Sequence, residues 1–300
     1  MPPAPTLAAR LALPAIRAAV EPACLPPHNG RICRHALLAQ GCASHRIEAF
    51  DAPDIRHPAD SGGTPCYRLF RAIPQQAAPR GGWPVLYMLD GNAAFDFLDP
   101  ALLARAPDLV VIGMGYATDA QFARSARGRD YTYPDPAQGA LAPDPTYGNR
   151  LTGGAPDFAP LLTGPLRARA EHDLPVDPAR RSLWGHSFAG LFALSLMLRA
   201  PDSFARYAII SPSLWWYPER LAPWLDRIPA TPIYLAVGDR EQRTGDQSPA
   251  RRGPPQAFTD LINHLAQQPH VDLSHQIYAG ARHIASLPTS LAPTLEFARR

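Results

Sequence analysis

Three residue types occur in an order that could carry nucleophilic catalysis: a serine on a tight turn, then an acidic pair, then a late histidine. The serine is Ser187, in Leu183-Trp184-Gly185-His186-Ser187-Phe188-Ala189-Gly190-Leu191. An apolar approach, Arg181-Ser182-Leu183-Trp184, enters the Gly-His-Ser turn, and residues 188–198 leave it as a helix with no breaker before Pro201. Such a turn pushes the hydroxyl out over a sheet, and small neighbours let strand and helix pack closely around it. The next backbone N–H, that of Phe188, sits at a helix start and can donate to an oxyanion. The glycine expected two residues after the serine is Ala189, with Gly190 one place later. Alanine is small enough to be a tolerated variant. The competing reading of these residues is an ordinary turn that happens to contain serine.

A serine nucleophile needs a base, and His283 lies in a loop just after the last expected strand. His186, beside the serine, is expected to face away. The acid belongs after the strand at residues 233–237, where the chain reads Gly238-Asp239-Arg240-Glu241. Either Asp239 or Glu241 could fix the imidazole tautomer and stabilise its charged form. The alternative is a solvated acidic loop paired with Arg240 or Arg243. Leu89-Asp90-Gly91-Asn92 follows an earlier strand, and its glycine permits a close turn, so the Asn92 N–H is the candidate second oxyanion donor.

Positioning these groups takes a sheet. Residues 44–50 and 66–73 read as an antiparallel edge pair around a polar loop. Continuous apolar runs at 85–89 and 109–114 read as strands buried on both faces. Further strands are expected at 207–210, 233–237 and 273–278, and helices at 92–103, 157–173, 255–267 and 288–297. This alternation predicts one α/β domain, 43–300, with a mostly parallel central sheet flanked by helices in three layers. An Arg/Pro-rich insertion around 117–156 is expected to be irregular, and 1–42 to be a poorly ordered or loosely docked leader.

Composition narrows the classes. The chain has 300 residues, 18% charged and 46% hydrophobic, long enough for a sizeable core. Its net charge of +3 is too small to argue for nucleic acid. All basic residues are Arg, and with the high Ala and Pro content this points to a GC-rich bacterial genome. No run approaches a membrane span. Arg10, Pro14 and Arg17 interrupt the apolar stretch 6–20, so a cytoplasmic location is expected, with a periplasmic one left open. Cys24, Cys33, Cys42 and Cys66 show no zinc-ligand spacing; unpaired thiols are expected, with one disulfide as the alternative.

Four separated motifs keep one order: Trp83-Pro84-Val85-Leu86-Tyr87-Met88-Leu89-Asp90-Gly91-Asn92-Ala93, Arg129-Asp130-Tyr131-Thr132, Trp184-Gly185-His186-Ser187 and Ser211-Pro212-Ser213-Leu214-Trp215-Trp216. Together they resemble the esterase D-like branch of the α/β-hydrolases, and within it the bacterial siderophore trilactone esterases, over roughly residues 43–298. The resemblance implies an α/β-hydrolase fold with Ser187 as nucleophile, His283 as base, and Asn92 and Phe188 as oxyanion donors. It favours Glu241 over Asp239 as third member, although some relatives are thought to work as a Ser–His dyad. It implies no cofactor and no metal site, with iron arriving on a small-molecule siderophore such as ferric enterobactin. Ile284 departs from the family, which usually has glycine after the histidine. Arg124, Arg127 and Arg129 offer charge, and Tyr131, Trp215 and Trp216 aromatic contact, to a trianionic catecholate. The bland alternatives are a solvated basic loop, an internal Arg129–Asp130 pair and core packing of the tryptophans. A general carboxylesterase or thioesterase acting on S-formylglutathione or feruloyl esters, and a non-catalytic siderophore-binding protein, are the rival functions.

Overall fold

The two continuous apolar runs form the middle of the sheet. The computed structural model describes residues 31–53, 65–135, 141–242 and 253–300. Its first half holds helix α1 (Ala36–Gln40), strands β1 (His45–Pro53), β2 (Pro65–Pro74) and β3 (Trp83–Leu89), helices α2 (Gly91–Phe97) and α3 (Pro100–Ala104), β4 (Val110–Tyr116), α4 (Arg124–Asp130), and the short β5 (Ala142–Asp144) and β6 (Arg150–Thr152). The rest holds α5 (Ala155–Leu161), α6 (Arg167–Ala170), β7 (Val176–His186), α7 (Phe188–Arg199), β8 (Arg206–Ile210), β9 (Ile233–Gly238), α8 (Gln256–Ala266), β10 (Leu273–Tyr278) and α9 (His283–Arg299).

The main sheet has the order β1-β2-β4-β3-β7-β8-β9-β10. From β4 to β10 neighbours run parallel, while β1 and β2 form the antiparallel edge. Side chains alternate between two cores. Val85, Tyr87 and Leu89 face Phe158, Phe192 and Phe258 of α5, α7 and α8, whereas Leu86 and Met88 face Ala93, Leu103 and Leu291 of α2, α3 and α9. Apolar runs without polar alternation are what burial on both faces requires. This is the α/β-hydrolase architecture. The chain steps from β3 outward to β4 and returns to β7 on the other side of β3, so the loops after β3 and β7 flank a switch point.

Helix boundaries differ from the expectations for local reasons. The helix expected at 92–103 is two, because Asp99 caps α3 by accepting the Leu102 N–H at 2.8 Å, with Pro100 at the first helical position. The segment expected at 157–173 is helical but widens over Leu162–Leu166, where Pro165 has no N–H to offer the preceding turn. The last helix begins five residues before the expected one and absorbs Pro288 and Pro293.

The described parts of the leader and the insertion both take definite form. The described part of the expected leader, 31–42, is docked: Ile32 bridges Ala120, Cys33 N–H donates to Asp119 O at 2.8 Å, and Leu37 is buried. Residues 1–30, with Cys24, lie outside the described residues. The insertion is folded around α4 and the β5–β6 pair, apart from 136–140, which also lie outside. Cys33 and Cys42 are free thiols. No described helix is long and apolar enough to cross a membrane.

Candidate active site

Ser187 stands between β7 and α7 at φ 64°, ψ −122°, a conformation costly for a residue with a side chain. Close packing holds it there. A Cβ on Gly185 would lie 2.2 Å from Ala189 O, and one on Gly190 2.8 Å from Ile210 O. The two glycines the elbow needs are therefore Gly185 and Gly190. Ala189 keeps its methyl in the core, which explains the departure from the usual motif. Ala189→Gly is expected to cost about 1 kcal/mol in urea unfolding, the usual helix penalty of glycine, with kcat unchanged.

The serine reaches its partners. Ser187 Oγ is 3.0 Å from His283 Nε2, and His283 Nδ1 is 2.6 Å from Glu241 Oε2. With Nδ1–H donating to the carboxylate, Nε2 is left to accept the serine proton. Glu241, rather than Asp239, makes this contact; Asp239 instead accepts the Gly280 N–H at 2.6 Å and ties β9 to the loop before α9. Ser187 Oγ also lies 3.3 Å from Ser213 Oγ.

Behind these three residues lies a set the sequence reading missed. Ser211, at φ 41°, donates to the other Glu241 oxygen at 2.6 Å, and its Oγ is 2.7 Å from Ser286 Oγ. Ser286 donates to the His283 carbonyl at 2.6 Å. His186 does not simply face away: its ring centroid is 4.8 Å from that of His283, and its Nε2 lies 2.8 Å from the His283 carbonyl. Burial, reinforced by His283, holds the His186 pKa well below its usual value, so its ring is neutral. Unfolding lets His186 take up a proton that the folded site refuses. Its contribution to stability is whole above the ordinary pKa of 6.5 and is lost as pH falls below that value. His186→Gln is therefore expected to flatten the acid side of a stability-versus-pH curve. His45, also held low by burial, supplies a remaining slope of the same sign.

The oxyanion loop is equally constrained. A Cβ on Gly91 would meet Gly113 backbone at 2.6 Å, so only glycine lets α2 start this close to β4. The Asn92 side chain donates to Tyr116 O and Thr118 O at 3.0 and 2.7 Å and accepts the Tyr116 N–H at 2.8 Å. Cys33, whose thiol is pushed up to about 12 by burial and by Asp96 and Asp119, stays protonated and donates to Asn92 O at 3.4 Å. Asn92 and Phe188 occupy early positions of α2 and α7, where backbone N–H groups have no intrahelical acceptor.

The expected substrate-binding residues divide. Arg124 is exposed, and Trp215 is 40% exposed with its ring 5.9 Å from that of Phe188. The others are interior, a correction to the sequence reading. Arg127 forks onto Asp90, Arg129 pairs with Asp130 at 2.8 Å, and the Tyr131 hydroxyl accepts the Asp90 N–H at 3.0 Å. Trp216 is 3% exposed and donates to Asp144 at 2.8 Å. An unpaired guanidinium costs too much to bury, so each buried arginine brought its carboxylate with it. Among the described residues no group of three His, Cys, Asp or Glu side chains could hold a metal ion.

Residues 64–272 match the model of the Esterase family, described as "Putative esterase". The chain belongs to this esterase family. The esterase is 30% identical to ferri-bacillibactin esterase BesA of Bacillus subtilis (strain 168) over 276 residues, 83% of this chain and 91% of that one. It is 40% identical to the apo-salmochelin esterase of Escherichia coli O6:H1 (strain CFT073) over 157 residues, 51% of this chain; the match spans 48% of that protein, about half its length. Among solved structures, "Enterobactin and Salmochelin Hydrolase IroE" is similar with a TM-score of 0.67 and 26% identity, covering 88% of this chain and 99% of that one.

Proposed function

We propose that this esterase hydrolyses the ester backbone of a catecholate siderophore, a trilactone of the enterobactin type, and so helps release its iron. The observation that carries the reading is the Ser187–His283–Glu241 chain in a protein similar to a ferri-bacillibactin esterase over 91% of that relative. In this reading His283 Nε2 takes the Ser187 proton as Oγ attacks a lactone carbonyl. The Asn92 and Phe188 amides receive the oxyanion. His283 then returns the proton to the departing seryl oxygen, leaving an acyl-enzyme and a free hydroxyl on the opened substrate. Water, deprotonated by His283, resolves the ester on Ser187. Substrate charge is met by the exposed Arg124 together with Arg240 and Arg282, which precede Glu241 and His283 on loops at the carboxyl end of the sheet. Trp215 supplies an exposed ring packed on Phe188, the residue after the nucleophile.

The test is a comparison of kcat/KM on ferric enterobactin, S-formylglutathione and methyl ferulate. A preference for the trilactone of about 100-fold or more, the reach of a few desolvated polar contacts, is expected. Equal or better turnover of either other ester would overturn the siderophore assignment.

A further inference from the structure

Arg127 is four residues from Tyr131, one helical turn away, and the Tyr131 N–H donates to the Arg127 carbonyl at 3.0 Å. Both side chains therefore leave the same face of α4 and its end. Both reach Asp90. Arg127 Nε lies 3.0 and 3.1 Å from the two carboxylate oxygens and Nη2 2.8 Å from Oδ2, while the Tyr131 hydroxyl accepts the Asp90 N–H at 3.0 Å. Asp90 is the left-handed residue (φ 49°, ψ 47°) that turns the chain from β3 into α2, two residues before Asn92. Its side chain and Arg127's are 2% and 8% exposed, so solvent does not compete for the fork.

The same guanidinium reaches the other donor. Its carbon lies 5.7 Å from the centroid of the Phe188 ring and 5.3 and 5.7 Å from those of Phe122 and Tyr131. The next residue of α4 adds a second link. A Cβ on Gly128 would meet the Tyr147 ring at 2.7 Å, and the Tyr147 centroid is 4.9 Å from that of Phe188.

We infer that Arg127, assisted by Tyr131, is a positioning residue for the oxyanion site: it locks the left-handed Asp90 turn that aims the Asn92 amide and packs on the ring of the residue bearing the second amide. This rests on the reading of Ser187 as nucleophile with those amides as oxyanion donors. It gives the insertion a task in the chemical step in place of gripping substrate charge. A lysine carries the charge but lacks the planar fork and the stacking face, so it cannot hold both partners.

The experiment compares wild type, Arg127→Lys, Tyr131→Phe and Ser187→Ala on neutral p-nitrophenyl butyrate and on ferric enterobactin, with melting temperatures and fluorophosphonate labelling rates. Arg127→Lys is expected to lower kcat roughly 10- to 100-fold on both esters, as a misplacement of about 1 Å does, with KM unchanged. Labelling slows by a similar factor, because it too builds charge on an oxygen. Tyr131→Phe shows a smaller loss of the same kind and carries the test if Arg127→Lys does not fold. A rise in KM confined to the anionic substrate would mean that Arg127 binds substrate. A lower melting temperature with wild-type kcat would reduce it to a structural role. Either result overturns the inference. Turnover surviving in Ser187→Ala would instead remove the nucleophile reading beneath it.

Discussion

Ser187→Ala is expected to lower kcat on a trilactone by roughly 10⁶-fold, the size of effect seen when a serine hydrolase loses its nucleophile. KM and melting temperature stay close to wild type. The hydroxyl makes two side-chain contacts, to His283 at 3.0 Å and to Ser213 at 3.3 Å, so its removal costs at most about 1–3 kcal/mol for the Ser213 hydroxyl left behind, too little to unfold the domain. The elbow is set by Gly185 and Gly190 and by the Ser187 N–H bonded to Ile210 O at 3.0 Å, none of which the substitution touches. His283→Ala should fall to a comparable level, and the double variant no further, because the two act in one proton transfer. Initial rates against a matched wild-type preparation measure this. A Ser187→Ala enzyme within about 100-fold of wild type would mean that another nucleophile does the work.

The second large effect concerns Glu241. A glutamate in this position only accepts hydrogen bonds, so it selects the His283 tautomer with the proton on Nδ1. A glutamine in its place can present its amide N–H to Nδ1. That turns the lone pair of Nδ1 toward Glu241's site and leaves the proton on Nε2, where it cannot accept one from Ser187. Glu241→Gln should therefore lower kcat on the order of 10³- to 10⁴-fold with KM unchanged. Ser211→Ala, which removes the hydroxyl donated to the other Glu241 oxygen at 2.6 Å, should give a milder loss of the same kind. Glu241→Gln within a few-fold of wild type, beside an inactive Ser187→Ala, would show a site that runs as a Ser–His dyad with Glu241 as bystander.

Much of the positioning was legible because it is written in local pattern. The apolar runs of β3 and β4 have to be buried on both faces, and the turn into α7 has to carry small residues at two contacts, so strand, elbow and helix followed from spacing. The order of Ser187, Glu241 and His283 was readable for the same reason: each follows a strand of the parallel sheet, and all three arrive at the carboxyl end of those strands. Choosing Glu241 over Asp239 was beyond local pattern. It depends on how β9 meets the loop after β10, a contact between segments about 40 residues apart in the chain, on the order of the long-range pairings that sequence spacing does not encode.

The arginines mark the other limit. Arg127 and Arg129 look like surface charge in a loop rich in glycine and proline, and nothing within the loop reveals that Asp90 waits for the first across 37 residues. The same holds for His186, Ser211 and Ser286. Their roles arise from strands β7 and β8 being neighbours of α9 in space, and a serine at φ 41° carries no sign of it in its sequence. Composition reports how much charge a chain has; the partner that makes a buried charge tolerable comes from elsewhere in the fold.

The most direct measurement is incubation of the protein with ferric enterobactin, beside the Ser187→Ala control, with products followed by mass spectrometry. Linear trimer, dimer or monomer of the catechol-bearing serine unit is expected with the wild-type chain, and intact trilactone with the control. Intact trilactone in both, while a p-nitrophenyl ester is still cleaved by the wild type, would contradict the siderophore assignment.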